Sequence, residues 1–268
     1  ALAAIVAREI IAADNRRNFP IIVPVFVLAA ANFLMDLGMD GFDALPGYGW
    51  RLALAAILIL ISVVGGRIVP SFTRNWLVNR GETRLPAPAG LIDRGSLGVL
   101  HAALVAWVFL PSARPIGFAL LAGAALNLGR LLRWRGAAAR GEALLVILHL
   151  GYVWLVVGVA ALGYAIIDAA FPLSAAIHAL TAGAIGTMIL AVMTRVSRGH
   201  TGRKLSADGA TILIYSLVIL AAATRIAAAL ATGAREDLLL GAAALWIGAF
   251  GLFVLRYAPV LLLPRRAP

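Results

Sequence analysis

Four histidines, His101, His149, His178 and His200, carry the chemistry this chain can offer. An ionisable ring in hydrocarbon is expensive, so it marks a functional site by default. Neutral imidazole is also the commonest protein ligand of haem iron and copper. His178 opens the stretch HALTAGAIGTMILAVMTRVSRGHTGR (His178–Arg203), which runs from a histidine among apolar residues into a basic, glycine-punctuated end. His149 lies in LHLGYVWL, with Tyr152 at i+3 on the same helix face. That phenol can hydrogen-bond a bound ligand or the second ring nitrogen of a neighbouring histidine. His101 falls mid-way along an apolar run with nothing polar beside it, and His200 falls in a basic loop, where a solvated side chain is the simplest expectation.

His149, His178 and His101 are therefore the candidate metal ligands, each against the plainer alternative of a ring hydrogen-bonded to a neighbouring helix. Depth separates them. His178 sits near one end of its span and His149 near the opposite end of its own. At 1.5 Å of rise per residue, that sets the two rings more than roughly 10 Å apart along the membrane normal. They are not expected to share one ion; His101 and His149, closer in depth, are better placed to do so.

Other polar residues are few. Arg225 lies about 13 residues into its helix, where it can snorkel outward, pair with Asp168 or meet a haem propionate. Arg67, Arg74 and Arg195 stand at helix ends, as topology markers or as partners for propionates or other anions. Thr181 is one turn from His178 and shares its face. Met188 and Met193 are packing residues first and soft copper ligands second. There is no cysteine, which excludes disulfides and thiolate-ligated haem or iron–sulfur clusters. No Walker A pattern, dinucleotide fingerprint or H-E-x-x-H is present.

The elements that must position these groups are membrane spans. Hydrophobic residues make up 62% of the chain and charged residues 13%, and mean hydropathy is +0.96. A soluble domain is about half apolar and about a quarter charged, so a polytopic all-α membrane protein is expected. Continuous rather than alternating apolar runs exclude a β-barrel. Eight full spans follow an N-terminal helix stub: Phe19–Met35, Trp50–Val69, Leu91–Leu110, Pro115–Leu132, Leu144–Ile167, Leu173–Met193, Ile212–Thr232 and Leu238–Leu263. Their connections alternate. One set is rich in arginine, from Arg16 and Arg17 to Arg265 and Arg266. The other is short and poor in base, its first member holding Asp36, Asp40 and Asp43. The net charge of +11 is thus expected to mark the cytoplasmic face, C-terminus included, rather than a nucleic-acid partner. The longest connection, Arg67–Gly90 with Pro70, Pro86 and Pro88, is expected at that surface. The whole of 1–268 reads as a single transmembrane domain. Its opening run, ALAAIVA, looks like the end of a helix begun earlier in a larger protein.

Three stretches then acquire a shared meaning. GGRIVPSFTRNWL (Gly65–Leu77), LHLGYVWLVVG (Leu148–Gly158) and the long run His178–Arg203 resemble the NnrS family of bacterial membrane proteins. The resemblance implies about twelve transmembrane helices in the bacterial inner membrane, and bound haem, of the b type, with copper. It also implies a role in nitric oxide response, nitrosative-stress tolerance or denitrification, with nitric oxide as a ligand. By the same resemblance His149, His178, His200, Tyr152, Arg67, Arg74 and Arg195 fall at motif positions. Of these, His149, His178, Tyr152, Arg67, Arg74 and Arg195 are expected to bind cofactor. Members also carry an N-terminal group of helices with histidines of their own, so a copper centre is expected to need missing helices or a partner subunit. Two other functions stay open: a transporter that relays protons through histidine, and a cofactor-free structural subunit.

Overall fold

The computed structural model describes residues 2–14, 19–37 and 45–262. Within lipid every backbone polar group must be satisfied internally, and this chain does so with helices. In chain order they are α1 (Leu2–Ala12), α2 (Phe19–Leu37), α3 (Leu45–Leu60), α4 (Gly66–Val78), α5 (Leu91–Phe109), α6 (Arg114–Leu132), α7 (Ala143–Ile167), α8 (Leu173–His178), α9 (Thr187–His200), α10 (Gly209–Leu230) and α11 (Arg235–Leu262). Two wide π-helical segments interrupt otherwise continuous helices: Ile61–Gly65 joins α3 to α4, and Ala179–Gly186 joins α8 to α9. Among the described residues seven helices are long and apolar enough to cross a membrane, and Ile22–Leu37 is a shorter apolar helix. The stub is the short helix α1. Arg16, Arg17, Asp40, Asp43, Leu263, Arg265 and Arg266 lie outside the described residues.

α7 is the hub. It packs against α6, α8, both π segments, α4 and α9, while α10 and α11 pair with each other and α2 pairs with α3. Its buried face carries glycines where neighbours come close: a Cβ at Gly158 would fall 2.6 Å from the Leu180 side chain, and one at Gly163 would fall 2.6 Å from the Gly117 carbonyl oxygen. Small residues let helices approach closely where lipid supplies no hydrophobic drive between them.

Two boundaries differ from the sequence expectation. Arg67 to Val78 is not a surface connection but helix, with Pro70 inside it. Proline removes an amide donor from the helix ladder, orphaning the carbonyl four residues back. Here that carbonyl belongs to Gly66, and Arg130 Nη2 donates to it at 3.3 Å. The sixth span likewise runs past Met193 to His200, the exposed last residue of α9 rather than a loop residue. At the same end of the bundle, Glu142 caps α7 through the Leu144 amide and also accepts from the Ala207 amide, joining two loops (both 3.1 Å).

Candidate functional site

The histidines occupy three different surroundings. His101 is not in purely apolar company: the Ser62 hydroxyl, at the first π segment, lies 2.7 Å from its Nε2. The sequence around His101 could not show this, because Ser62 comes from another helix. His149 is buried on α7. Its Nδ1 lies 3.0 Å from the Leu145 carbonyl oxygen and its Nε2 lies 3.5 Å from the Thr73 hydroxyl. A Cβ at Gly136 would fall 2.6 Å from the His149 ring, so this wall closes only over glycine. His101 and His149 thus have separate partners, and no three histidine or carboxylate side chains converge among the described residues.

His178 differs. Neither of its ring nitrogens has a hydrogen-bond partner among the described residues, and it lines a cavity of about 500 Å³ between the second π segment, α10 and α11. Arg225 lines the same cavity and is likewise without a hydrogen bond or ion pair among the described residues. It does not reach Asp168, whose oxygens take the Tyr164 hydroxyl and the Ala170 amide, both at 2.9 Å. The remaining walls are apolar apart from Thr181, which spends its hydroxyl on the Ile177 carbonyl oxygen at 2.8 Å. Trp246 from α11 forms one wall, seated on Gly186, where a Cβ would fall 2.6 Å from its ring. The glycines of TAGAIG therefore admit aromatic rings: Gly183 lies as close to Trp154 as Gly186 does to Trp246.

A second polar centre was not foreseen. Arg130, 4% exposed, reaches from α6 into the bundle. Its Nε donates to Asp93 at 3.0 Å, and its Nη1 donates to the Ser62 carbonyl at 3.1 Å and to the Tyr152 hydroxyl at 2.9 Å. Tyr152 donates in turn to Asn127 at 2.8 Å and packs edge-on against Trp134. A buried guanidinium needs such saturation, because an unpaired charge there is costly. Gly66 makes the room, since a side chain there would overlap the Arg130 guanidinium. Tyr152 is accordingly a member of this network, not of the His178 cavity. In sequence Arg130 looks like one more loop arginine. The available clue is Asn127 one turn earlier, with Asp93 in the first turn of α5.

Arg67 and Arg74 line a third place, a basic cavity that also reaches Arg130. Arg195 lies over the Phe72 ring at 4.1 Å. The stretches 65–77, 148–158 and 178–203 nonetheless meet: Gly65 backs onto both Tyr152 and Met188, Thr73 faces His149, and Arg195 covers Phe72. Met188 fills space against Gly65 and Gly151. Their convergence on α7 shows that the three sequence signatures mark one packed core. The NnrS protein family model matches residues 1–265. The chain belongs to the NnrS family. As an NnrS-family protein with seven long apolar helices among the described residues, it is a multi-pass membrane protein. No curated protein and no solved structure matches it.

Proposed function

We propose that this NnrS-family chain binds haem, of the b type, in the cavity at His178, and that it serves nitric oxide metabolism or nitrosative-stress tolerance. One observation carries the reading: an imidazole and a guanidinium, both without hydrogen-bond partners among the described residues, line one apolar cavity of about 500 Å³. Cofactor sites are concave, mostly apolar and of roughly 300–1,000 Å³, with a few placed polar groups. The donor set fits haem. His178 offers a ring nitrogen whose lone pair is not committed, and Arg225 offers a cation for a propionate carboxylate. No three histidine or carboxylate side chains converge among the described residues, and copper is given no role in this reading.

When bound, haem supplies an iron that takes nitric oxide. The chain's own residues do the rest. His178 would hold the macrocycle by its ring nitrogen, Arg225 would compensate one carboxylate, and Trp246 with the alanines and isoleucines around it would exclude water. A small apolar gas reaches such a cavity through the bilayer. On this reading the arginine-rich loops and the C-terminus face the bacterial cytoplasm from the inner membrane.

Absorption spectra of the purified protein, with and without dithionite and nitric oxide, test the reading. A Soret band that shifts with nitric oxide is expected. His178→Ala loses it, His178→Gly regains it with added imidazole, and His101→Ala and His149→Ala retain it. A colourless, iron-free preparation of the intact protein, or full haem in His178→Ala, overturns the assignment.

A further inference from the structure

The cavity at the arginine-rich end of the bundle, about 470 Å³ between α4, α5 and the end of α6, is unused by the haem reading. Four arginines line it, Arg67, Arg74, Arg94 and Arg130, and one acid, Asp93. Asp93 is already committed. Its Oδ1 accepts from Arg130 at 3.0 Å, and its Oδ2 accepts from Arg133 at 3.2 Å and from the Gly90 amide at 2.9 Å. Arg130 in turn spends its donors on Asp93, Ser62, Tyr152 and Gly66. The floor is therefore an ion-paired network in which both carboxylate oxygens and the Arg130 donors are already engaged. Above it, exposed Arg74 and Arg94 make no hydrogen bond or ion pair among the described residues, and the lining holds no second carboxylate.

A second observation concerns the rim. Leu97 lines the cavity itself, and Leu91, one turn before Arg94 on α5, is 84% exposed. A basic recess with an apolar flank suits an amphiphile better than a small soluble ion. Basic pockets between transmembrane helices at the cytoplasmic side take anionic lipid headgroups.

We propose that this cavity binds the phosphate of an anionic phospholipid, with Arg74 and Arg94 meeting the phosphate and Leu97 and the neighbouring exposed Leu91 meeting its acyl chains. The shared chemistry with free phosphate is the anionic phosphoryl group; the apolar rim selects the lipid. The site stands independently of haem at His178.

The test titrates phosphatidylglycerol, phosphatidylcholine and inorganic phosphate separately into the delipidated full chain in uncharged detergent. Adducts are read by native mass spectrometry alongside the melting temperature. Phosphatidylglycerol is expected to be retained over phosphatidylcholine. The double variant Arg74→Gln/Arg94→Gln should lose roughly fivefold affinity per arginine with helix content unchanged. Should the double variant not fold, Arg94→Gln alone and a salt series take its place, with binding weakening as salt rises. Inorganic phosphate matching phosphatidylglycerol would overturn the lipid source. Equal retention of phosphatidylcholine, or undiminished binding in the variants, would overturn the site.

Discussion

At the scale of single residues, two side chains carry the proposed chemistry, and they do different things. His178 supplies a bond and Arg225 supplies a charge, so their loss should be separable. Arg225→Gln removes one charge-assisted contact, worth about 1.5–3 kcal/mol. It should leave a Soret band but raise haem loss by roughly tenfold or more, read as transfer to an acceptor apoprotein. An unchanged transfer rate would remove Arg225 from the site. His178 stands out in the sequence as a histidine in an apolar run, and in the structure it lines a cavity. Depth along the helices already set it apart from His149; that His101 and His149 have separate partners was not legible, because the hydroxyls of Ser62 and Thr73 come from other segments. Arg130 was missed for the same reason: its partners on α5, α7 and the first π segment are far away in sequence.

At the scale of elements, hydropathy reveals a span wherever lipid contact dominates, which is why α5, α6, α7 and α10 appear close to their expected bounds. It fails where helix leaves lipid but continues. Arg67, Pro70 and Arg74 lower the apolar signal of α4, yet the helix persists because Arg130 supplies the donor that Pro70 lacks. Gly66→Ala would drive a methyl into that guanidinium. Disturbing a buried ion pair costs on the order of 3–5 kcal/mol, so a clearly lower melting temperature is expected. Asp208, which caps α10, joins α9 to α11 by accepting from Arg198 at 2.7 Å and Arg256 at 2.6 Å. Burial alone would raise its carboxyl. The Thr211 hydroxyl and amide with the two arginines outweigh that and hold it well below the usual carboxylate range. A carboxyl held low contributes its stability above its unfolded value, about 4, and loses it as pH falls through the folded value. Melting temperature should therefore fall below about pH 4, and Asp208→Asn should flatten that fall. An identical acid profile in the variant would remove Asp208 as the cause.

At the scale of the whole molecule, the alternation of arginine-rich and base-poor loops predicts an orientation that labelling can test. The chain has no cysteine, so each introduced cysteine is unique. Glu82→Cys and Thr201→Cys should react with an impermeant maleimide only after the membrane is opened. Ser112→Cys and Gly233→Cys should react in intact spheroplasts. The reverse pattern would invert the topology. The π segments bear on this architecture in another way. Each packs more residues into a turn than an α-helix does. Removing one residue from Ala179–Gly186 would let that stretch relax to the ordinary α-helix, still long enough to cross the bilayer. Because a wide turn absorbs its extra residue, α9 would keep close to its present orientation relative to α8, and the change would fall on the residues within the segment. A single-codon deletion there should thus yield a protein that inserts and accumulates normally, yet has lost the wide turn that seats Trp246 on Gly186 beside His178.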